Sequence, residues 1–423
     1  MSFNTISVVG LGYIGLPTAA MFASRKKKVI GVDVNKHAVE TINRGEIHIV
    51  EPELDMIVHA AVTEGYLKAT TSPEPADAFL IAVPTPFKNN GSEVPEPDLA
   101  YIEAASKAIA PVLKKGDLVI LESTSPVGAT EQMAEWLAAA RSDLTFPQQE
   151  GENSDIRVAH CPERVLPGHV VRELVENDRV IGGMTNKCSE AAIELYKIFV
   201  AGECVKTNAR TAEMAKLTEN SCRDVQIAFA NELSVICDKL DIDVWELISL
   251  ANRHPRINIL QPGPGVGGHC IAVDPWFIVS KTPEEANIIH CARKVNDNKP
   301  EWVINKVKQA IADFLQQNPS KTISDVKIAC YGLAFKPDID DLRESPALRI
   351  TKSISEFHGG PVFAVEPNIQ SLPNNLQNIE LLNKTDALEF ADIHVLLVRH
   401  SAFKDVEFDK DFLIDSAGFQ YHL

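Results

Sequence analysis

Short apolar runs alternate with glycine-rich or polar breaks over the first 140 residues. Residues 6–9 and 29–32 are β-branched runs of strand length, and an apolar stretch of helical length lies between them. Residues 78–83 and 118–121 are further strand-like runs with helical stretches around them. Strands that alternate with helices are typical of a parallel α/β sheet. The pattern therefore predicts a doubly wound parallel sheet in this part of the chain.

A long helical run with few breakers changes this pattern at about residues 208–250. More helix follows as far as about residue 308, and a polar linker covers residues 316–325. The opening order of strand, glycine turn, helix and strand then returns. We predict an α/β protein with two Rossmann-like doubly wound parallel-sheet domains, residues 1–205 and 316–423, joined by a long-helix central domain, residues 206–315. The alternative is a chance likeness between two common βαβ units.

The net charge of the chain limits the classes of partner that we expect it to bind. With 58 acidic and 41 basic side chains among 423 residues, the formal net charge is −17. We expect no nucleic-acid partner, because such binding depends on phosphate neutralisation, and no docking on an anionic membrane. A small anion would have to be bound by a few gathered cations and backbone amides.

Signals for membrane insertion, secretion and metal binding are absent from the sequence pattern. No run approaches the ~18 apolar residues of a membrane span, and no secretory signal is predicted. The eight cysteines form no C-x-x-C pair, so we predict neither a disulfide framework nor a metal site. Few, unpatterned cysteines favour a reducing compartment, and we expect a cytoplasmic protein.

A dinucleotide fingerprint opens the chain, with the sequence Gly10-Leu11-Gly12-Tyr13-Ile14-Gly15. It follows a predicted strand, begins a predicted helix, and is followed by Asp33 at the end of the next strand. The glycines permit a tight turn and close approach of a pyrophosphate, which then lies at a helix N-terminus. The charge of Asp33 would repel a 2′-phosphate, so NAD is favoured over NADP. Lys36 is the only nearby cation that would favour NADP. A glycine turn without a ligand is the alternative.

Two threonines follow strands of the same predicted sheet. Thr85 comes just after the strand that ends near residue 83, and Thr124 just after the strand that ends near residue 121. Ligands of open parallel sheets bind beyond the carboxyl ends of the strands. We expect both threonines to line the cofactor cleft; simple helix capping is the alternative for each.

A candidate nucleophile follows an unusually bare stretch of backbone. Four glycines lie within residues 263–268, just before Cys270. Glycines allow a substrate to approach closely, and a helix that began at Cys270 would lower the pKa of its thiol. Asp274 would then lie one turn away on the same side. The other seven cysteines are interpreted as small core residues, which is also the alternative for Cys270.

The predicted middle helix carries a polar face made of Lys216, Asn220 and Arg223. Their spacing of four and three residues places them on one side of the helix. A lysine and an asparagine are suited to proton transfer and to holding an oxyanion. A solvated face is the alternative, and the nearby fingerprint and cysteine weaken it.

Together these motifs resemble the UDP-glucose/GDP-mannose dehydrogenase family over essentially the whole chain. The matching segments are residues 8–17, 161–168, 213–220, the loop before Cys270, residues 332–337 and residues 343–345. The resemblance implies a four-electron oxidation that turns the C6 alcohol of a sugar into a carboxylate and consumes two NAD. It also implies a homodimer, or a higher homo-oligomer, formed through the middle helices.

The resemblance assigns roles to individual residues. Cys270 matches the nucleophile that forms a thiohemiacetal and then a thioester. Lys216 matches a family lysine that transfers a proton or binds an oxyanion, assisted by Asn220 and Asp274. Glu163 matches a family glutamate that acts in acid–base catalysis. Arg343 would reach the cofactor. The nucleotide-sugar pocket would be lined by Arg164, Val165, Lys216, Asn220, Arg223, His254, Arg256, Gly267 and Lys336.

The same resemblance favours a UDP-sugar substrate, UDP-N-acetyl-D-mannosamine, on the segment 164–168. UDP-N-acetylglucosamine, UDP-glucose and GDP-mannose are the alternatives. Pro167 stands where UDP-glucose dehydrogenases usually carry a second glutamate, so a water-positioning role for that carboxylate is in doubt here. Two other functions stay open: a two-electron hydroxyacid-type dehydrogenase, which needs no cysteine, and a non-catalytic NAD-sensing protein.

Overall fold

The computed structural model describes residues 3–88, 91–166, 168–268, 270–374, 376, 378–408 and 412–419. The chain forms two compact units, residues 1–219 and 220–423. The predicted domain borders near residues 205 and 315 stay a prediction. Among the described residues, no helix is long and apolar enough to cross a membrane.

An eight-stranded sheet is the centre of the first unit. Its spatial order is β3-β2-β1-β4-β5-β6-β7-β8. The first six strands run parallel, whereas β7 runs antiparallel to β6, with Ala159 opposite Gly183 and His160 opposite Gly182. The strands are Thr5–Val9 (β1), Lys28–Val32 (β2), Leu67–Thr70 (β3), Ala78–Ile81 (β4), Leu118–Leu121 (β5), Arg157–His160 (β6), Arg179–Gly183 (β7) and Cys204–Asn208 (β8).

Helices cover both faces of this sheet, which is why its central strands are apolar on both sides. One core packs helices α1, α3, α7 and α8 against the sheet, and a second core packs α4 and α5 against the other face. The helices are Gly15–Ser24 (α1), Lys36–Asn43 (α2), Leu54–Thr63 (α3), Ala100–Ile109 (α4), Ala129–Ala140 (α5), Pro147–Glu150 (α6), Val170–Glu176 (α7) and Asn186–Tyr196 (α8).

The second unit contains a five-stranded parallel sheet in the order β11-β10-β9-β12-β13. This order repeats that of the first five strands of the chain, so the predicted pair of Rossmann-like sheets is confirmed. The strands are Ile328–Tyr331 (β9), Val362–Val365 (β10), Ile379–Leu381 (β11), Ile393–Leu396 (β12) and Leu413–Asp415 (β13).

Two 31-residue helices dominate the middle of the chain, as the long helical run predicted. The first begins in the first unit and ends in the second, and the other also packs on the five-stranded sheet. The helices of this half are Ala209–Lys239 (α9), Val244–Ala251 (α10), Asp274–Lys281 (α11), Asn287–Gln317 (α12), Pro346–Phe357 (α13) and Lys384–Phe390 (α14).

Buried polar contacts join α9 to α12 in the second unit. The guanidinium of Arg293 donates to the Asp224 carboxylate at 2.7 Å, and the amide of Asn296 donates to the same oxygen at 2.8 Å. Farther along, Lys299 donates to the hydroxyl of Ser234, and burial lowers the pKa of Lys299 to about 7. Such contacts favour one register between the helices, because a shifted register would leave buried polar groups unpaired.

Candidate active site

The first glycine loop is shaped by the close approach of its own backbone. Gly10 has φ +91°, and a Cβ there would lie 2.4 Å from the carbonyl oxygen of Ala82. A Cβ on Gly15 would lie 1.7 Å from the carbonyl oxygen of Gly10. A Cβ on Gly12, in contrast, would have no atom within 4 Å. The first and third glycines are therefore needed by the loop itself, and the second leaves open space for a ligand.

Asp33 follows β2 and braces this loop. Its Oδ2 accepts the amide of Leu11 at 2.8 Å, and its Oδ1 accepts the amide of Asn35 at 2.8 Å. Each carboxylate oxygen has a second lone pair, so both can still accept a ribose hydroxyl. Tyr13 is exposed, and Ile14 is half-buried directly before α1.

The two threonines lie beyond neighbouring strands, β4 and β5, as the sequence predicted. Neither caps a helix, because α4 and α5 are preceded by Leu99 and Gly128. Thr124 is half-buried, and the buried Oγ1 of Thr85 has no hydrogen-bond partner among the described residues. An unpartnered hydroxyl, the open space at Gly12 and the acceptors of Asp33 fit an NAD molecule.

On α9 the three polar residues share one face, as their spacing predicted. The side-chain amide of Asn220 donates to Oδ2 of the buried Asp274 at 2.6 Å, so the structure brings these two residues together. Lys216 is half-buried and Arg223 is exposed. Neither has an ion pair or a side-chain hydrogen bond within the described ranges.

Cys270 lies in a turn before α11, which begins at Asp274 and not at the cysteine. The carbonyl of Cys270 accepts the amide of Asp274 at 2.8 Å, so the two residues are still one helical turn apart. Helix α11 therefore begins one turn later than a helix that began at Cys270 would.

The eight cysteines differ in solvent exposure, which the sequence did not predict. Cys270, Cys222 and Cys291 are exposed and Cys204 is half-buried, so the expectation that the other seven are all core residues is wrong. Cys222 and Cys291 lie on outward faces of the amphipathic helices α9 and α12. Burial raises the pKa of Cys161 to about 12, which removes it as a nucleophile.

The loop before Cys270 packs tightly on a later segment of the second unit. A Cβ on Gly267 would lie 2.5 Å from the carbonyl oxygen of Glu344 and 2.9 Å from Cβ of Phe335. A Cβ on Gly268 would lie 3.0 Å from the Phe335 ring. Packing alone therefore requires glycine at 267, and its place in a sugar pocket stays a prediction.

Glu163 is held on both carboxylate oxygens. Nη1 of Arg179 donates to its Oε2 at 2.8 Å, and the amide of Arg164 donates to its Oε1 at 2.7 Å. Glu163 and Arg179 are both buried, so this is a desolvated ion pair. The sequence indicated Glu163 but missed Arg179, which lies 16 residues away on β7.

A second carboxylate lies in the same buried polar group. The hydroxyl of Tyr196 donates to Oε1 of Glu122 at 2.5 Å, and the guanidinium of Arg179 lies 5.1 Å from the centre of the Tyr196 ring. Burial raises the pKa of Glu122 to about 7, although the charge of Arg179 opposes the rise. Only its position beside the residue 123–126 loop could have drawn attention to Glu122.

Glu213 ties the start of α9 to the segment after the second threonine. Its buried carboxylate accepts the amide of Gly128 at 2.7 Å and the amide of Thr130 at 2.8 Å. Sequence reasoning assigned it no role, although it lies one turn before Lys216 in a motif segment. Glu213 thereby positions the helical turn that carries the lysine.

The candidate anion-binding residues differ in whether they are already paired. Arg164 binds Glu219 at 2.7 Å, and Arg343 binds Asp341 at 2.6 Å. Of these candidates, Lys216, Arg223, Arg256 and Lys336 have no side-chain ion pair or hydrogen bond within the described residues. His254 is exposed and its Nδ1 accepts the amide of Arg256 at 3.4 Å, while Val165 packs against a core of the first unit.

Comparison with known proteins covers the chain almost end to end. Models of the UDP-glucose/GDP-mannose dehydrogenase family match in order: the NAD binding domain at residues 4–200, the central domain at 210–298 and the UDP binding domain at 329–417. The chain is 67% identical to a UDP-N-acetyl-D-mannosamine dehydrogenase of Yersinia pestis, covering 99% of each protein.

Two further relatives support the same grouping. An NDP-N-acetyl-D-galactosaminuronic acid dehydrogenase of Ralstonia nicotianae is 66% identical, with 97% of this chain and 94% of the relative covered. The solved structure of a UDP-D-ManNAc dehydrogenase from Pyrococcus horikoshii superposes with a TM-score of 0.84 at 38% identity, covering 97% of this chain and 93% of the other. The resemblance predicted from the motifs is confirmed.

Substituting the second and third glycines of the first loop separates ligand binding from folding. We expect Gly12→Ala to leave the melting temperature unchanged, because the new methyl group meets open space, but to weaken NAD binding by at least about tenfold. Gly15→Ala should lower the melting temperature, because its Cβ collides with Gly10. Calorimetric titration with NAD and thermal unfolding test this. Full NAD affinity in Gly12→Ala would contradict the placement of the pyrophosphate.

The stability of the protein should fall as pH rises from about 4.5 to 7 because of Glu122. An unfolded glutamate loses its proton near pH 4.5, whereas the folded side chain retains it up to about pH 7. Above that range the folded state is destabilised, because it contains a buried carboxylate charge. We expect this cost to be on the order of 3 kcal/mol.

Glu122→Gln keeps an acceptor for Tyr196 and should remove this part of the pH dependence. Thermal unfolding between pH 5 and 8 measures it, and Glu74→Gln, in an exposed pair with Lys68, is the matched control. The same pH slope in wild type and Glu122→Gln would show that Glu122 is ionised throughout.

Proposed function

Because the chain belongs to the UDP-glucose/GDP-mannose dehydrogenase family, we propose that this NAD-dependent nucleotide-sugar dehydrogenase oxidises UDP-N-acetyl-D-mannosamine to UDP-N-acetyl-D-mannosaminuronate. The observation that carries the choice of an N-acetylated sugar is the 67% identity over 99% of the Yersinia pestis enzyme. A uronate of this kind suits the synthesis of a surface polysaccharide.

The acetamido group is better supported than the configuration of the sugar. The Ralstonia nicotianae relative, at 66% identity, is named for an N-acetylgalactosaminuronic acid. Identities of 66% and 67% do not discriminate between two sugars. We therefore place UDP-N-acetyl-D-mannosamine first and keep UDP-N-acetylglucosamine, UDP-glucose and GDP-mannose as alternatives.

Cys270 supplies the nucleophile in the proposed reaction. When bound in this site, NAD would supply the hydride acceptor for each of the two oxidations, one NAD molecule for each hydride. After the alcohol has become an aldehyde, the Cys270 thiolate adds to the carbonyl carbon and gives a thiohemiacetal. Loss of the second hydride leaves a thioester, and water cleaves the carbon–sulfur bond to release the acid and the thiol. The exposure of Cys270, beyond a run of glycines, supports this assignment.

The pair formed by Asn220 and Asp274 is proposed to act on the oxygen of the substrate. With its amide nitrogen bound by Asp274 at 2.6 Å, Asn220 is fixed in one orientation and has a second N–H to donate. Lys216, four residues earlier on α9 and without a counterion in the described part of the chain, provides a positive charge for an oxyanion.

Glu163 is proposed to act as an acid–base group near the sugar. Arg179 and the Arg164 amide hold its carboxylate in place, so little reorganisation is needed when a proton moves. Arg164, Val165, Arg223, His254, Arg256, Gly267 and Lys336 are proposed to line the sugar-nucleotide pocket, and Arg343 to reach the cofactor. The domains at residues 1–205, 206–315 and 316–423 would bind NAD, dimerise and bind the UDP-sugar.

We also propose a homo-oligomer formed through α9. Phe229 and Ile236 on α9 and Leu240, directly after its end, are 54%, 44% and 62% exposed. The amide of Leu240 still donates to the carbonyl of Ile236, so the spacing of seven and four residues places all three on one face. An apolar stripe of this kind is stabilised by burial against a second copy. The cytoplasm is the proposed location, since all eight cysteines are free thiols and NAD is the cofactor.

A panel of nucleotide sugars tests the reaction. We expect two NADH for each UDP-N-acetylmannosamine consumed, with slower turnover of UDP-N-acetylglucosamine, UDP-glucose and GDP-mannose. Cys270→Ser should form no uronate, whereas Cys291→Ser, another exposed cysteine, should retain activity. Product analysis and NADH absorbance are the measurements.

Three outcomes would contradict parts of the proposal. One NADH per sugar, unchanged by Cys270→Ser, would favour a two-electron dehydrogenase. No NADH with any nucleotide sugar would favour an NAD-sensing protein. A faster turnover of another sugar in the panel would replace the proposed substrate.

Charge placed on the α9 stripe tests the oligomer. We expect Phe229→Glu combined with Ile236→Glu to give monomers in light scattering, because two carboxylates per chain cannot be buried without cost. Ile288→Glu, at an isoleucine that is 72% exposed on α12, is the matched control and should leave the mass unchanged. An oligomer that survives the double substitution would exclude this face.

A further inference from the structure

The second sheet has its own glycine loop, built like the first. Gly332 has φ +90°, close to the +91° of Gly10, and its amide donates to the carbonyl of Val365 at 2.8 Å. Glu366 follows β10 in the place that Asp33 has after β2. The two loops thus share one backbone design, each with an acidic residue beside it.

Glu366 differs from Asp33 because its carboxylate is fully occupied within the protein. Its Oε2 accepts the amides of Leu333 at 2.7 Å and Ala334 at 3.1 Å, and Nε2 of His400 lies 3.0 Å away. Its Oε1 accepts the backbone and side-chain N–H groups of Asn368. Burial opposes ionisation, but His400 and the amides lower the pKa of Glu366 overall. No lone pair remains for a ribose diol, so this acid serves the loop alone.

The hydrogen bonds of the buried His400 indicate which of its ring nitrogens donates and which accepts. Its Nδ1 receives the backbone N–H of Asp338 at 2.9 Å, and an amide N–H can only donate. Nδ1 is therefore the acceptor, and Nε2 carries the hydrogen and donates to Glu366. The side-chain N–H of Asn368 lies 3.1 Å from the same Nδ1, and the ring in this tautomer links Glu366 to the Asp338 amide.

These contacts hold the segment 333–338 at both ends. Glu366 binds the amides at its start, and His400 binds the amide of Asp338 at its end. Pro337 has no N–H, so Asp338 offers the first backbone donor after Lys336. The carboxylate of Asp338 also accepts the amide and the hydroxyl of Ser401, at 2.8 and 2.9 Å.

Lys336 lies in the middle of this held segment. It is half-buried and has no ion pair or hydrogen bond among the described residues. A cation without a counterion on a loop that is already ordered suits a diphosphate, because binding need not order the loop.

We infer that His400 is a positioning residue for the nucleotide sugar: by accepting the Asp338 amide, it fixes the end of segment 333–338 so that Lys336 meets the diphosphate. The inference rests on the proposed role of Lys336 in binding the UDP-sugar. His400 itself touches no substrate, since it is completely buried.

Two near-isosteric variants separate the two ring nitrogens. In His400→Asn the amide oxygen takes the place of Nδ1, so the Asp338 amide keeps its acceptor. In His400→Gln the amide nitrogen takes the place of Nε2, so Glu366 keeps its donor and Asp338 loses its acceptor. We expect His400→Gln to raise the KM for the nucleotide sugar about tenfold with little change in kcat or in the KM for NAD. His400→Asn should remain within about twofold of wild type.

Lys336→Met is measured beside them in the full-length enzyme, with UDP-N-acetylmannosamine as the probe. A raised KM in Lys336→Met and His400→Gln, with recovery in His400→Asn, supports the inference. A raised KM in Lys336→Met alone, or equal losses in both His400 variants, overturns it. An unchanged KM in Lys336→Met overturns the role of the lysine and with it the inference, while uronate formation still tests the proposed function.

If His400→Gln does not fold, as judged by its melting temperature, Asp338→Gly provides the second test. Asp338 is exposed and has φ +61°, which glycine adopts without strain, so the substitution removes the contacts with Ser401 and keeps the backbone amide that His400 accepts. A KM for the sugar that rises severalfold supports the inference, and a KM equal to wild type overturns it.

Discussion

Loops that approach a phosphate closely must be nearly bare backbone, and a bare loop has few side chains with which to hold itself. In this chain a carboxylate from another segment takes that role repeatedly. Asp33 accepts the amide of Leu11, Glu213 accepts those of Gly128 and Thr130, and Glu366 accepts those of Leu333 and Ala334. Glu51, buried after α2, does the same for the amides of Gly168 and Val170 at the start of α7. Part of the acidic excess of the chain is thus directed inward, as acceptors for loop amides.

The long helices use charge differently. Between α9 and α12, Arg293 meets Asp224 at a site from which water is excluded, and breaking such a pair would leave an uncompensated charge. These contacts form only when α9 and α12 are in one register, so they fix the alignment of the two helices. An aligned α9 in turn fixes the spacing between Asn220 and its partner Asp274.

Local pattern was sufficient to predict the two sheets and the first glycine loop, because strand, turn and helix signals lie within about thirty residues of each other. It failed where distant segments decide the structure. The reversal of β7 depends on its pairing with β6, and no residue of β7 marks it. Glu213 and Arg179 were missed because their partners lie 85 and 16 residues away, respectively. Helix α11 begins four residues later than supposed, and the two glycines nearest to Cys270, Gly267 and Gly268, pack against Phe335, which lies 65 or more residues away.

Helix α9 contributes residues to both compact units, which affects how the protein can be divided. A fragment that ends at residue 205 would lack Glu213, and the amides of Gly128 and Thr130 would lose the acceptor that begins α5. The compact unit that contains the NAD binding domain extends about three turns into α9, to residue 219. A fragment for expression must therefore include Glu213 to keep this contact, and a cut within or directly after β8 would remove it.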